Sequence, residues 1–445
     1  MKNILQINKQ MYLRLASYLL IWQIYILFMS VYAPLGTEWL PWHSQRIYNF
    51  SEYLNLNGYF SNYGFSIWST CQNCILKAEF WANKIYLSSS FFSYFPYLLI
   101  NNFFGGDNLK IYGPFFDKII IFFTGLLIAE LLIRLSKNKL DSINLFIKAM
   151  LCFTFFIISP WTYKMLINSW MNIFFLIFFL IGIFMFLHKK KNFGLFFLFM
   201  AGLCDYQSSA GLAFFYTSLI IFFYFNKKRS SIKDYFTTFN DNNFLDYKII
   251  FSLALPVLFF FTRLLFASNE FETNNEPELL SRIGISGNDI HNGGLLGTIQ
   301  FLGGNRITQC LINFDPQLDL MNFSKSIHVY NCILSTLSMF IVSLVSIGGL
   351  FFLSKSDSAF FKIIIFPISF LFLSYICILQ QSSSVHLMGY SYFFSILFSV
   401  GITAIIFEIL EKYNFSLISI FLATPITLGI ILLCIRVSML TGING

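Results

Sequence analysis

The chain has 445 residues, of which 57% are hydrophobic, 20% aromatic and only 11% charged. Soluble domains are roughly half apolar and about a quarter charged, so this composition excludes an ordinary soluble protein and predicts an all-α integral membrane protein. The net charge of +8 does not indicate a nucleic-acid partner, because the Lys and Arg residues lie in short clusters beside apolar runs, a pattern that sets membrane orientation. The expected partner is the lipid bilayer.

Apolar runs of about 20 residues predict about 11 transmembrane helices. They divide the chain into a cytoplasmic N-terminus (1–14), a first transmembrane helix (15–34), an outer loop (35–113), a transmembrane bundle (114–266), a second outer loop (267–329) and C-terminal transmembrane helices (330–435). The first run is longer than the 7–15 apolar residues typical of a cleaved signal peptide, so it predicts a retained span. The basic clusters favour a multi-pass protein with a cytoplasmic N-terminus, and we expect the membrane to be a cell inner membrane.

The run 193–225 is too long for one span and carries "CDYQSS" in its middle. Basic clusters flank it on both sides, "HKKKN" before and "NKKRSSIK" after, and a single crossing cannot leave both in the cytoplasm. We therefore predict a short helical hairpin with Asp205 and Gln207 at its outer tip, where polar groups face water or a cavity. Both residues are candidates for substrate binding.

The first outer loop begins with "GTEWLPWHSQRIYNFSEY", which holds Glu38, His43 and Glu52 beside two Trp residues typical of a membrane interface. A carboxylate near the hydrocarbon edge is partly desolvated, which makes it a better general base. Glu79 lies further along the loop. The apolar run 91–104 is too short to span and predicts interfacial helices. In the same loop, "CQNC" predicts a local disulfide or two thiols rather than a metal site.

Other candidates for substrate binding lie at the predicted outer ends of later spans. Arg263 is an ionisable residue inside an apolar run, and its guanidinium suits phosphate. Lys164 in "SPWTYK" presents a weaker case of the same kind, while Arg306 and His386 lie in outer polar segments. No HExxH, GxSxG or carboxylate-rich metal motif is present in the sequence, so no metal and no cofactor are expected.

The layout resembles the GT-C superfamily of membrane glycosyltransferases, which use polyprenyl-phosphate sugars. The segments that carry the resemblance are "APLGTEWLPWHSQR", "SSSFFSYFPYLLINNFFGG", "SPWTYKMLINSWMNIFFLIFFLIGIFMF" and "FLFMAGLCDYQSSAGLA", within about the first 230 residues. The resemblance implies an acidic catalytic residue soon after the first span, for which Glu38 is the first candidate and Glu52 and Glu79 the next. Members commonly carry an Asp or an Asp-Glu pair there, whereas this chain has the single Glu38.

These observations predict transfer of a sugar from a polyprenyl-phosphate donor to a glycan, lipid or protein acceptor on the outer face, in surface glycan or glycolipid synthesis. Two alternatives remain open at this point. One is a polysaccharide polymerase or ligase of the O-antigen type, in which Arg282, His291 and Arg306 of the second loop would matter more than Glu38. The other is a lipid-linked oligosaccharide flippase, which would need a polar path through the membrane.

Overall fold

The structure is a computed structural model. It describes residues 2–32, 51, 95–136, 142–167, 173–226, 246–270, 299, 301–304, 323–378, 391–412 and 415–442. Every regular element within these ranges is helical.

The helices are numbered in chain order. They are α1 (Lys2–Tyr32), α2 (Phe95–Phe104), α3 (Gly106–Leu135), α4 (Ser142–Ile158), α5 (Pro160–Ile167), α6 (Ile173–Leu187), α7 (Lys191–Cys204), α8 (Tyr206–Asn226), α9 (Tyr247–Glu270), α10 (Phe323–Ser356), α11 (Ser358–Phe360), a π-helical turn (Phe361–Ile365), α12 (Phe366–Ile378), α13 (Ser391–Lys412) and α14 (Leu417–Gly442).

Six of the described helices are long and apolar enough to cross a membrane, or up to seven if the bent pair α4 and α5 forms one span. Large apolar side chains lie on their outer surfaces, for example Phe351 on α10 and Phe421 on α14. In water such surfaces would be costly, whereas lipid solvates them. The protein is therefore a multi-pass helical membrane protein. The predicted number of about 11 includes shorter apolar helices such as α6 and α7, and it stays a prediction.

The central helix α13 is the most deeply enclosed of the spanning helices, and its two ends contact different sets of residues. At its start, Phe394 packs against Trp161 of α5 with ring centroids 4.5 Å apart. Near its finish, the Phe407 ring lies 5.2 Å from Lys148 Nζ of α4. A helix of 22 residues is about 33 Å long, so these contacts mark opposite ends of the bundle.

We name the two ends by their buried carboxylates. The Asp205 end comprises Asp205, Trp161, Phe301 and Tyr392. The Asp357 end comprises Ser136, Lys148, Asp357 and Phe407.

A buried ion pair closes the Asp357 end. Lys148 of α4 donates to Asp357, which lies between α10 and α11, and the two side chains are 3% and 0% exposed. The hydroxyls of Ser136 and Ser356 also donate to this carboxylate. Burying a charge in a low-dielectric interior is costly unless the charge is paired and hydrogen-bonded. The pair therefore fastens α4 and the end of α3 to the junction after α10.

Two glycines allow α10 and α13 to approach closely. A Cβ added to Gly349 would clash with the carbonyl oxygen of Gly401, and one added to Gly401 would clash with that of Ser346. Small residues of this kind let backbones pack where apolar burial alone does not drive helices together in lipid. The neighbouring Gly348 has nothing within 4 Å of an added Cβ.

Candidate functional site at the Asp205 end

Four of the ten predicted site residues lie in the described part of the chain, and the structure brings them to one end of the bundle. They are Lys164, Asp205, Gln207 and Arg263. The other six lie outside the described residues: Glu38, His43, Glu52, Glu79, Arg306 and His386.

Asp205 is the single residue between α7 and α8, and it caps the second of these helices. Its Oδ1 accepts hydrogen bonds from the backbone N–H groups of Gln207, at 3.0 Å, and Ser208, at 3.2 Å. Its Oδ2 accepts a hydrogen bond from the Ser208 hydroxyl at 2.6 Å. The first N–H groups of a helix have no partner within the helix, and a carboxylate satisfies them and favours the dipole. Asp205 therefore stabilises the start of α8.

The chain reverses direction at Asp205. Lys191 at the start of α7 pairs with Asp246 just before α9, and an added Cβ on Gly202 would lie 2.7 Å from Pro256, so α7 and α9 run in the same direction. The hydroxyl of Ser209 in α8 donates to Leu253 of α9, at 2.7 Å, earlier in α9 than Pro256. Since α8 descends along α9 while α7 ascends, α7 and α8 form a hairpin with α9 packed against both.

Tyr392 joins the tip of this hairpin to α13. Its side chain is 0% exposed, and its hydroxyl donates to Asp205 Oδ2 at 3.4 Å. The Ser208 hydroxyl lies 3.4 Å from the same phenol oxygen. The sequence did not indicate Tyr392 as a site residue. Tyr392 lies 187 residues from Asp205, in an aromatic-rich run where a tyrosine is expected to be part of the hydrophobic core.

Gln207 lies on the half-buried surface of the tip. Its amide donates to the Tyr206 hydroxyl at 3.0 Å. The Tyr206 ring in turn stacks on Phe260 of α9, with centroids 3.6 Å apart and planes 9° from parallel. These contacts fix the position of the amide relative to α9.

Arg263 lies about one helical turn beyond Phe260, toward the Asp205 end. It is 8% exposed, and its guanidinium carbon lies 5.6 Å from the centroid of the Phe259 ring. Cation–π contact of this kind orients a guanidinium without occupying its in-plane donors. Arg263 is thus a buried cation on the same side of α9 as the hairpin tip.

Lys164 lies on α5, which is bent by 58° from α4 at Ser159. The Ser159 hydroxyl oxygen accepts from the Thr162 N–H at 3.2 Å, and Pro160 occupies the first helical position, where its missing N–H costs nothing. Lys164 itself is 5% exposed. The bend therefore places a second buried cation across the end of the bundle.

Trp161 anchors α5 to a piece of the second predicted loop. Its indole N–H donates to the carbonyl of Phe301 at 2.9 Å, and its ring contacts Phe394 and Phe398 of α13. On the other side of this piece, the Ser343 hydroxyl of α10 donates to the carbonyl of Leu302 at 2.7 Å. Residues 301–304 thus lie within the Asp205 end, between α5 and α10.

A further buried carboxylate, Asp117 of α3, was not singled out from the sequence. It is 4% exposed and accepts a 2.5 Å hydrogen bond from the Tyr97 hydroxyl of α2. Tyr97 contacts Phe174 in the first turn of α6, and the adjacent Phe175 contacts Phe393 of α13. This carboxylate therefore belongs to the Asp205 end. An ionisable residue at the start of the apolar run 114–133 was the signal that could have found it.

Within the described ranges, no group of three or more His, Cys, Asp or Glu side chains could hold a metal ion. The arrangement instead offers buried cations, hydroxyls and hydrogen-bonded carboxylates, a set suited to anionic and hydroxyl-bearing ligands.

Fold and site together define a multi-pass helical membrane protein with a polar, cation-bearing end. In comparison with known proteins, the chain matches no family model, no curated protein and no solved structure.

Proposed function

We propose that this protein is a membrane glycosyltransferase of the GT-C type. It would move a sugar from a polyprenyl-phosphate donor to an acceptor on the outer face of the cell inner membrane, in surface glycan or glycolipid synthesis. The observation that supports this most strongly is the presence of two buried cations, Lys164 and Arg263, at the same end of the bundle as the hairpin tip. Buried cations suit the phosphate of a lipid-linked donor.

The proposal includes about 11 crossings with the N-terminus in the cytoplasm. The alternating directions of the described helices support this number, since α7 and α8 reverse at Asp205 and α4 runs opposite to α13. The Asp357 end carries Arg134, whose guanidinium contacts His188, and the exposed Lys189 and Lys190. Lys and Arg favour the cytoplasmic side, so this end is the proposed inner end and the Asp205 end the outer one.

Helix α2 supports the proposed interfacial helices of the first outer loop. Phe95, Leu99 and Phe103 are exposed on its outer face, while Tyr97 and Asn101 are buried against the protein. A helix surrounded by lipid is expected to expose its apolar residues and to bury its polar residues against the protein.

In the proposed reaction a carboxylate removes the proton of the acceptor hydroxyl while the hydroxyl oxygen attacks the anomeric carbon. The bond between that carbon and the phosphate oxygen breaks, and the polyprenyl phosphate leaves with the electron pair. Arg263 and Lys164 offset the charge that develops on the departing phosphate. Glu38 is the first candidate for the base, followed by Glu52 and Glu79, and His43 is a further candidate.

The test uses the full-length protein in nanodiscs with polyprenyl-phosphate sugars labelled on the sugar, and it follows label leaving the lipid fraction. Arg263→Gln should lower turnover by about 10- to 100-fold, because hydrogen bonds to a charged group contribute about 1.5–3 kcal/mol. Arg134→Gln is the matched control, since Arg134 also lies over a ring, Phe184, at 5.8 Å, but at the Asp357 end. Equal turnover in the two variants would contradict the proposed role of Arg263.

Donor that crosses the membrane without losing its sugar would instead favour the flippase alternative. Dependence on Arg306 but not on Glu38, tested by alanine substitution and scored by glycan production, would favour the polymerase or ligase alternative.

A further inference from the structure

A second polar cluster lies between α2 and α3 at the Asp205 end. It comprises Tyr97 and Asn101 on the buried face of α2 and Asp117 on α3. Tyr97 and Asn101 are four residues apart, so they lie on the same side of their helix. The three residues are 0%, 4% and 4% exposed.

The relative position of the two helices places Asn101 between two defined contacts. Tyr97 donates to Asp117 at 2.5 Å, and the Phe104 ring lies 4.7 Å from that of Tyr112. The helices therefore pass in opposite directions after the turn at Gly105, whose φ of 84° permits the reversal. Asn101 faces α3 in the interval between these contacts.

Asn101 has an unsatisfied donor. Its Nδ2 is buried and has no hydrogen-bond partner in the part of the chain that the structure describes. Burying a carboxamide nitrogen without a partner is unfavourable, and buried unsatisfied groups in native proteins call for an explanation such as a ligand. An apolar residue would fill this position at no such cost. The amide is therefore placed for a partner that is not part of the described protein.

We infer that Asp117, Asn101 and Tyr97 form a binding site for the hydroxyl groups of a lipid-linked sugar. The Asn101 amide donates to one sugar oxygen, and the Asp117 carboxylate accepts from a neighbouring hydroxyl. Tyr97 is a positioning residue, because its hydrogen bond holds the carboxylate toward α2. The exposed apolar face of α2, which includes Leu99 and Phe103, lies alongside the lipid chain.

This inference rests on the proposed function and specifies where the sugar is held. It assigns the sugar to the α2–α3 interface and the phosphate to the cations of α5 and α9. A carboxylate paired with an amide is selective for ligands that both donate and accept, which sugars do and simple alkyl chains do not.

The test measures binding of labelled octyl β-D-glucoside, octyl β-D-galactoside and octyl N-acetyl-β-D-glucosaminide to the full-length protein in nanodiscs, below micelle-forming concentrations. Octyl triethylene glycol ether has the same alkyl chain but only one hydroxyl, at the end of its head group, and it serves as the reference ligand. The wild-type protein should bind at least one glycoside about tenfold more tightly than the ether. Asn101→Ala and Asp117→Asn should remove that preference, and Tyr97→Phe should weaken it.

The matched control is Asn102→Ala, because Asn102 is the exposed neighbour on the same helix and should leave glycoside binding unchanged. Asn101→Asp keeps the side-chain volume while replacing the donor with an acceptor, so it tests the donor even if Asn101→Ala fails to fold. Folding is checked by thermal unfolding in the same nanodiscs.

Glycoside binding that is equal in wild type, Asn101→Asp and Asp117→Asn would overturn the inference, and so would the absence of any preference over the ether. The labelled-donor transfer assay separates this result from the proposed function. If Asn101→Asp transfers sugar at the wild-type rate and KM, the inferred sugar-binding site is wrong but the proposed glycosyltransferase function stands. If the wild-type protein binds glycosides selectively but transfers no sugar, the sugar-binding site stands and the proposed glycosyltransferase function is wrong.

Discussion

The two ends of the bundle stabilise their buried carboxylates in different ways. Asp357 is neutralised by Lys148, which reaches it from another helix, whereas Asp205 accepts hydrogen bonds from neutral donors, two of them backbone N–H groups of its own turn. Three ion pairs lie in the half of the bundle toward Asp357, namely Arg14–Glu130, Lys148–Asp357 and Lys191–Asp246.

This difference suggests different roles for the two ends, with the Asp357 end stabilising the fold and the Asp205 end binding ligand. At the Asp357 end, opposite charges cancel and four segments of chain are held together. At the Asp205 end, Lys164 and Arg263 are buried, Asp117 accepts a hydrogen bond from the Tyr97 hydroxyl, and Asp205 accepts one from the Ser208 hydroxyl. We expect the Asp357 end to govern stability and the Asp205 end to govern ligand binding. Substitutions at each end test this difference.

The largest effect on stability is expected from Lys148→Met. Removing one partner leaves Asp357 buried and uncompensated, which typically destabilises a protein by about 3–5 kcal/mol. The double variant Lys148→Met with Asp357→Leu removes both charges and should lose less than the single variant. Unfolding in detergent by added SDS, followed by circular dichroism, measures both. A single variant no less stable than the double variant would show that the pair does not fasten this end.

A smaller effect on stability is expected from Asp205→Ala. The change removes a helix cap, for about 1 kcal/mol, and the hydrogen bond that the Ser208 hydroxyl donates to the carboxylate, for about 1 kcal/mol more. Asp205→Asn keeps an acceptor at the cap and should lose less than Asp205→Ala. The same SDS unfolding assay compares them. A loss as large as that of Lys148→Met would remove the contrast between the two ends.

The smallest effect concerns the half-exposed pair of Lys191 and Asp246. Partial burial by itself raises the pKa of Asp246, but the hydrogen bonds from Lys191 and from the backbone N–H of Lys248 outweigh it, so the pKa lies below its usual value. A carboxyl with a lowered folded-state pKa stabilises the fold above its unfolded pKa of about 3.9, and this contribution is lost as the pH falls through the folded value.

Asp246→Asn should therefore be less stable than wild type by about 0.2–1 kcal/mol at pH 7, the range for exposed pairs. The difference should shrink below about pH 4, as followed by unfolding at a series of pH values in matched detergent and salt. A difference that grew on acidification would contradict the lowered pKa.

The sequence predicted local features better than distant partners. A carboxylate followed by Ser208 and Ser209 is a helix-start signal within an apolar run, so the break at Asp205 follows from local chemistry. The partners of the buried groups could not be predicted, since Lys148 and Asp357 are 209 residues apart and Asp205 and Tyr392 are 187 apart. Sequence periodicity specifies which face of a helix is apolar, but it does not specify which helices meet.

The candidate site shows the same limit. Arg263 and Lys164 attract attention because each is charged within an apolar segment, and both prove to be buried at one end of the bundle. Asp117 carries the same signal, but at the start of a predicted span it resembles a residue at the membrane edge. Its burial depends on α2 folding back over α3, and that depends on the turn at Gly105.

The orientation of the Asp205 end decides whether the proposed glycosyl transfer can take place on the outer face. Gln207→Cys and Lys190→Cys, each in a background without the other eight cysteines, would be treated with a membrane-impermeant maleimide in intact spheroplasts and in inverted membrane vesicles. We expect Gln207→Cys to react in spheroplasts and Lys190→Cys to react in inverted vesicles. The reverse pattern would put the two buried cations and the hairpin tip on the cytoplasmic side, and glycosyl transfer on the outer face would be ruled out.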